Sequence, residues 1–489
     1  MTRRLVVVGD TLLDRDVEGV VTRLCPDSPV PVLEETTSLD RPGGAGLAAL
    51  FAAGRGFEVA LVTALADDAA GARLSSLLTA AGVRVYALPL AGATPEKIRL
   101  RTRGRVLLRH DRGGPAGRPG EPGEAVVELL AGAAAILVSD YGRGVARQPA
   151  LRAAIAASDA PVVWDPHPRG PAAVPGIRLA TPNEVEVRDL TGDSPGGSRM
   201  AAAARGAQGL RQRWRAGAVA VTLGGDGALL CHAGARPLVV PAPAHAEGDT
   251  CGAGDRFSVA ASIALAEGAL VSEAVQRAVA EASAYVAGGG VAAAVPVPQL
   301  VPAAPGGEAV PAGPAGPPPD GVVRVGIPAA GEVITRVRAA GGTVVATGGC
   351  FDLLHAGHLA TLQAARQLGD ALVVCLNSDA SVAALKGPDR PLVSQADRSR
   401  LLAALGCVDA VVVFDEPTPE AVLAWLRPDV WVKGGDYGTG GGDEPELPEA
   451  EVLSRWGGQT VVVPYLDGRS TSGMIAAARS RRRLTGGAR

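Results

Sequence analysis

TGGCFDLLHAGHLATLQAARQLGD, residues Thr347 to Asp370, passes from a glycine-ended apolar run through two histidines into a helical pattern. The apolar run TVVATGG from Thr343 has no polar alternation, as expected of a strand buried on both faces of a parallel sheet. Gly348, Gly349, Phe351, Asp352, His355, Gly357 and His358 then form a turn that opens a helix. The same pairing of a short Val/Leu run with an Ala-rich helical stretch recurs along the chain. It appears at LVVVGD from Leu5, AILVSD from Ala135, PVVWD from Pro161, AVAVTLGG from Ala218, ALVVCLNSD from Ala371 and AVVVF from Ala410. That alternation specifies an α/β fold, doubly wound in each half, with ligands outside the carboxyl ends of the strands.

The chain of 489 residues is long for one core. The stretch Val295 to Pro328 is too dense in Pro and Gly for a ladder or a helix interior, and reads as an extended linker. The expected organisation is residues 1–300, a linker over 301–328, and residues 329–489, structure resuming with the helix-like AAGEVITRVRAAGG. A hydrophobic fraction of 47% excludes wholesale disorder, and 47 basic against 50 acidic residues exclude a nucleic-acid-coating protein. The dense basic run Arg479 to Arg483 reads as a solvated helix end, with phosphate or RNA contact as the alternative. Cys25, Cys231, Cys251, Cys350, Cys375 and Cys407 are scattered without a CxxC pair, which fits a reducing cytosol. No run reaches the ~18 apolar residues of a membrane span, and the start is too short in apolar residues for a signal peptide. The expectation is a cytoplasmic protein that binds neither membrane nor nucleic acid.

At His355 and His358, backbone N–H groups and the helix dipole favour an anion, and imidazoles there can stabilise charge at a reacting phosphorus. Cys350 with the two histidines could instead offer soft metal ligands, but no fourth ligand stands at a finger-like spacing. Glycine-flanked Lys386 and Lys433, and the hydroxyls of Ser470, Thr471 and Ser472 at a helix start, extend the phosphate-handling reading. In the first half, GDTCGAGDRF from Gly248 places Gly252, Ala253 and Gly254 where backbone N–H groups could cradle a phosphoryl group. Asp255 at its lip could take the proton of an attacking hydroxyl; the bland alternative is a glycine-rich turn with an Asp cap. GGAGLA from Gly43 fits a dinucleotide fingerprint formally, yet the residues before it, TTSLDRP, read as polar and turn-like where a strand is required. No GxxxxGK[ST] occurs.

TGGCFDLLHAGH, NSDASVAALKGPDRP, VKGGDY and DGRSTS together resemble the HxGH nucleotidyltransferases, and within them the adenylyltransferase of bifunctional heptose enzymes. DTCGAGD, GDTLLD, RPGGAG, TPNEVE and TLGGDG resemble the ribokinase (PfkB-type) carbohydrate kinases, with TRLCPDSPVPVLE and SDYGRG closer to the heptose 7-phosphate kinases. The resemblance implies a ribokinase-like N-terminal domain and a Rossmann-like nucleotidyltransferase C-terminal domain. It implies phosphorylation of D-glycero-β-D-manno-heptose 7-phosphate at O1, and adenylyl transfer from ATP to heptose 1-phosphate, with a separate 7-phosphatase acting between. By the same resemblance Asp255 is the kinase base, Asp10, Asp14, Gly43 and Gly44 meet the sugar, and Gly225 and Gly227 meet the nucleotide. Asn183 and Glu186 hold Mg²⁺ through water. His355 and His358 act at the α-phosphorus; Phe351, Asp352, Lys386, Lys433 and Ser470–Ser472 line the nucleotide phosphates. A monovalent cation and a homodimer through the kinase half are further features the resemblance allows. Two positions depart from the pattern: Leu47 stands where the kinases have Asn, and Gly348 where the transferases have Asn. Leu47 keeps open a different sugar phosphate or nucleotide, or a kinase half that only binds.

Overall fold

The computed structural model describes residues 3–103, 105–113, 117–192, 199–233, 236–243, 248–291, 325–435 and 448–464. They form two compact units: the first takes the described residues up to 192, 206–233 and 242–291, the second those of 199–205, 236–241 and 325–464. In chain order the first part carries β1 (Arg4–Gly9), β2 (Thr11–Cys25), β3 (Ser28–Gly44), β4 (Glu58–Leu65), β5 (Arg84–Pro89), β6 (Glu96–Thr102) and β7 (Arg105–Arg112). It continues with β8 (Ala135–Ser139), β9 (Val162–Asp165), β10 (Leu179–Ala180), β11 (Val219–Thr222), β12 (Ala228–Cys231) and β13 (Leu238–Val240).

The main sheet of this unit runs β12-β11-β10-β9-β8-β1-β4-β5. It is parallel throughout except for the antiparallel β11–β12 pair. Leu5 to Val8 and Ala135 to Val138 are wholly buried, as unalternated apolar runs require. The chain then puts Asp10, Asp140, Asp165 and Thr222 at or just past carboxyl ends of neighbouring strands.

A second sheet, β3-β2-β6-β7, was not legible from apolar patterning. The segment Thr36–Pro42, expected to be a turn, lies inside the 17-residue β3. The reason is that only a few of its apolar residues, such as Leu13, Val17 and Ile98, are buried, while charge pairs cross its polar stretch: Arg15 pairs with Asp40 and Arg41 with Asp16, both at 2.6 Å, across β2 and β3. Every residue of β7 is exposed.

The second unit is a parallel sheet of order β16-β15-β14-β17-β18, formed by β14 (Val344–Gly349), β15 (Ala371–Asn377), β16 (Ala410–Phe414), β17 (Val430–Gly435) and β18 (Gln459–Pro464). The segment read as AAGEVITRVRAAGG is helical over Ile327–Ala339 and buries Ala330, Val333, Ile334 and Val337 on one face, a 3.6-residue period. All six cysteines are free thiols. No described helix is long and apolar enough to cross a membrane.

Candidate active sites

The first site gathers at the start of the helix Ala253–Ala266. Gly252 caps it in the left-handed region at φ 82°, a conformation that favours glycine. Asp255, in the first turn, is buried, and Tyr141 Oη donates to both of its carboxylate oxygens at 2.9 Å. Burial pushes the Asp255 carboxyl up to about 7, with the charges of Asp14 and Glu186 adding to the rise and Tyr141 and Lys97 opposing it. Asp165 is likewise held well above the carboxylate range by burial, then by Glu186 and Asp255.

Gly43 and Gly44 are dictated by close approach. A Cβ on Gly43 would meet Asp14 Oδ2 at 2.6 Å, and one on Gly44, at φ 61°, would meet Asp10 O at 2.4 Å. Asp14 is buried and accepts from Arg99 at 3.0 Å. Asp10 does something the sequence did not suggest: its carboxylate accepts the backbone N–H groups of Tyr141, Arg143 and Val145 at 3.2, 2.8 and 2.9 Å. It therefore anchors a loop. Leu47 is buried, its Cδ2 just 3.0 Å from where a Gly252 Cβ would lie, so it packs beneath the helix start.

Asn183 and Glu186 close a reciprocal capping box on the helix Glu184–Thr191, with Asn183 Oδ1 accepting from Glu186 N at 3.0 Å and Glu186 Oε2 from Asn183 N at 2.8 Å. An open cleft is lined by Gly225, Gly227, Thr250, Ala253, Gly254 and Phe257, among others. The N–H of Ala253 is turned to Thr250 O at 3.0 Å, so an anion cradle there falls to the neighbouring glycines. Tyr141 was missed. Its motif, SDYGRG, was visible in the sequence, but only the fold brings strand β8 beside the helix that carries Asp255.

The second site forms where β14 meets the helix Ala356–Arg366. His355 is that helix's N-cap: its Nδ1 accepts from Gly357 N at 3.1 Å and His358 N at 3.4 Å. A ring nitrogen that accepts carries no proton, so the His355 proton sits on Nε2, a donor for an incoming anion. The two imidazoles stack at 3.9 Å, 21° from parallel. Burial lowers His358 to about 4, with His355 and Lys386 adding their charge, so His358 is neutral near pH 7. Phe351, in the left-handed region at φ 44°, sets its ring 5.2 Å from that of His358.

Asp352 is buried and accepts from Leu392 N at 2.6 Å, Val393 N at 3.0 Å and the Arg390 guanidinium. These bonds outweigh burial and hold its carboxyl below the usual range. It fixes the loop that follows Lys386, which itself is exposed at the end of the helix Asp379–Lys386. Lys433 differs from the lone cation expected: it pairs with buried Glu449 at 2.7 Å and lies 5.8 Å from the Trp431 ring centroid. Gly348 answers to that same tryptophan, since a Cβ there would meet Trp431 Cη2 at 2.5 Å, which leaves no room for Asn. Ser470, Thr471, Ser472 and the arginine run lie outside the described residues. Among the described residues no three His, Cys, Asp or Glu side chains are grouped to hold a metal ion directly.

Comparison with known proteins accords with two sites of different chemistry. The pfkB family carbohydrate kinases match residues 2–298, and the cytidylyltransferase-like family matches residues 346–447. The bifunctional protein HldE of Streptomyces coelicolor is 53% identical over 476 residues, 97% of this chain and 96% of that one. Those of Halorhodospira halophila and Azotobacter vinelandii are 40% and 37% identical, covering 98% and 97% of this chain and the same shares of their own.

Proposed function

We infer two activities for this chain, which belongs to the family of bifunctional HldE proteins and carries a pfkB-type carbohydrate kinase followed by a cytidylyltransferase-like nucleotidyltransferase. The kinase phosphorylates D-glycero-β-D-manno-heptose 7-phosphate at O1, and the transferase joins heptose 1-phosphate to AMP from ATP, giving ADP-heptose and pyrophosphate. The observation that carries the reading is Asp255, ionisable near neutral pH, at a helix start that opens on a glycine-lined cleft.

In the first reaction Asp255 takes the proton of the O1 hydroxyl as that oxygen bonds to the γ-phosphorus of ATP. The bond from the γ-phosphorus to the β–γ bridging oxygen breaks and ADP leaves. Positive ends of backbone dipoles at Gly252 and Gly254 face the migrating phosphoryl group. The ion we propose is Mg²⁺, held through water by Asn183 and Glu186; the Asp165 carboxyl, pushed up first by burial and then by the charges of Glu186 and Asp255, supports a cation there. Bound, it would neutralise charge on the phosphates.

In the second reaction the sugar 1-phosphate is already an anion, so no strong base is needed. Its oxygen bonds to the α-phosphorus, the α–β bridge breaks, and pyrophosphate departs. His355 Nε2–H and neutral His358 donate to the oxygens on which charge grows. Phe351 and Asp352 shape that turn, and Lys386 and Ser470–Ser472 face the phosphates in this reading. Lys433, paired with Glu449, would have to exchange that partner for a phosphate.

Further parts of the proposal rest on composition and surface. The expected linker, 301–328, runs into the helix Ile327–Ala339, and the Pro- and Gly-rich stretch ahead of that helix serves as the linker, so chains cut between Pro302 and Pro319 retain both activities. Two copies pair through the outlying sheet of the kinase, a reading supported by exposed Val20, Leu24, Val106 and Leu108. A separate 7-phosphatase must act between the two reactions, in the cytoplasm, and a monovalent cation accompanies the kinase. The test is one variant assayed for both reactions. Asp255→Asn abolishes phosphorylation while adenylyl transfer to supplied heptose 1-phosphate persists; unchanged phosphorylation, or faster turnover of another sugar phosphate, overturns the assignment.

A further inference from the structure

Resting on the reading of Asp255 as the kinase base, we propose that Tyr141 is its positioning residue, fixing the carboxylate's orientation toward the sugar hydroxyl. The geometry is a forked hydrogen bond: one phenol hydroxyl lies 2.9 Å from each oxygen of Asp255. A donor shared equally between both oxygens constrains rotation of the carboxylate about its Cβ–Cγ bond and leaves the other lone pairs for substrate.

Tyr141 is itself held in place. Its backbone N–H, with those of Arg143 and Val145, is pinned to the Asp10 carboxylate at the end of β1. Its ring edge lies 3.3 Å from the Cβ position of Gly44, so any side chain there would push against it. Burial, and then the Asp255 charge, hold the phenol pKa well above its ordinary value, so it remains a donor throughout the working range. The SDYGRG motif thereby joins Asp10, Gly44 and Asp255, three sequence marks that lie far apart in the chain.

Other ionisable groups face the pair from each neighbouring element. Asp14 on β2 and Lys97 on β6, Asp165 on β9, Glu186 on the helix Glu184–Thr191, Tyr285 on the helix Val271–Ala287 and Cys251 in the preceding turn act through space. Tyr141 is the one described side chain that hydrogen-bonds to Asp255, and it lowers that carboxyl's pKa. Removing the hydroxyl removes a lowering influence, so the acid limb of the kinase rate must move to higher pH.

The experiment compares wild type, Tyr141→Phe, Asp255→Asn and the double variant in the full-length protein, using heptose 7-phosphate and Mg·ATP. Expected for Tyr141→Phe are a kcat lowered about 10- to 100-fold, a KM for the sugar phosphate within about threefold, and an acid limb displaced upward. The double variant is no slower than Asp255→Asn alone. Should Tyr141→Phe not fold, 3-fluorotyrosine at position 141, a stronger donor, moves the limb downward; an unmoved limb overturns the proposal. So does a Tyr141→Phe kcat within about twofold of wild type, or a loss of rate with the limb unchanged, which marks a structural role. If Asp255→Asn keeps full activity, the base assignment fails first; if it is inactive while Tyr141→Phe is unaffected, only the role of Tyr141 fails.

Discussion

Gly252→Ala puts the start of the catalytic helix under a load that can be worked out from its surroundings. At φ 82° an L-residue occupies the left-handed region, which costs about 1–2 kcal/mol. The new methyl would stand 3.0 Å from Leu47 Cδ2, 3.0 Å from Tyr285 Oη and 3.4 Å from Phe51 Cε2. Tyr285 cannot easily retreat, because its hydroxyl donates to Cys251 O at 2.7 Å and its ring meets Phe51 edge-on at 5.2 Å. Leu47 is buried on its own helix. Overpacking of this kind adds about 1–3 kcal/mol, for a total of about 2–5 kcal/mol. For a unit of this size the midpoint of thermal inactivation falls by roughly 4–20 °C. The assay heats the full-length protein, cools it, and measures both reactions on the same sample, so adenylyl transfer is the internal reference. Kinase activity should be lost at lower temperature while adenylyl transfer is not. A kinase midpoint within about 2 °C of wild type, with unchanged kcat, would refute the claim that this turn requires glycine.

Three further outcomes follow from the same structure. His355→Ala removes a charge-stabilising donor and lowers the kcat of adenylyl transfer by about 10²-fold or more; steady-state pyrophosphate release reads it, and a rate within about threefold of wild type contradicts the role. Asp352→Ala strands the Arg390 guanidinium and two backbone N–H groups, costing the transferase unit about 3–5 kcal/mol. Thermal inactivation of adenylyl transfer, with phosphorylation as reference, reads that loss, and no shift would contradict it. Because the Asp255 pKa is raised to about 7, the kinase rate climbs as pH rises through neutrality and the base ionises. Asp140, also pushed to about 7 by burial, titrates in the same range, so a limb that persists unaltered in Asp140→Asn is the expected result.

Both parallel sheets could be read from the chain because their strands are buried on both faces, and Leu5–Val8 or Val344–Ala346 need no partner to announce themselves. The sheet of β2, β3, β6 and β7 could not. Its strands are stabilised by cross-strand pairs such as Arg15–Asp40, and a polar stretch such as Thr36–Pro42 looks like a turn until its partner is known. At the sites, contiguous motifs were legible because turn geometry is local: Gly252 to Asp255, and His355 to His358. What joins distant segments was hidden. That Asp10 also anchors a loop was not readable from its own segment, and Tyr141 meets Asp255 across 114 residues. Lys433 looked like a phosphate ligand; its partner Glu449 lies on a helix whose approach no local pattern reveals. Leu47 and Gly348, read as departures, each pack against a specific neighbour, Gly252 and Trp431.

The central claim, two different phosphorus chemistries in one chain, is tested most directly by phosphorus NMR. Purified protein is given D-glycero-β-D-manno-heptose 7-phosphate, Mg²⁺ and ATP, and a 7-phosphatase is added after the first spectrum. The account predicts a 1,7-bisphosphate and ADP first, then ADP-heptose and pyrophosphate. Absence of the bisphosphate, with adenylyl transfer still seen from supplied heptose 1-phosphate, would contradict the kinase half. Absence of ADP-heptose from the 1-phosphate would contradict the transferase half.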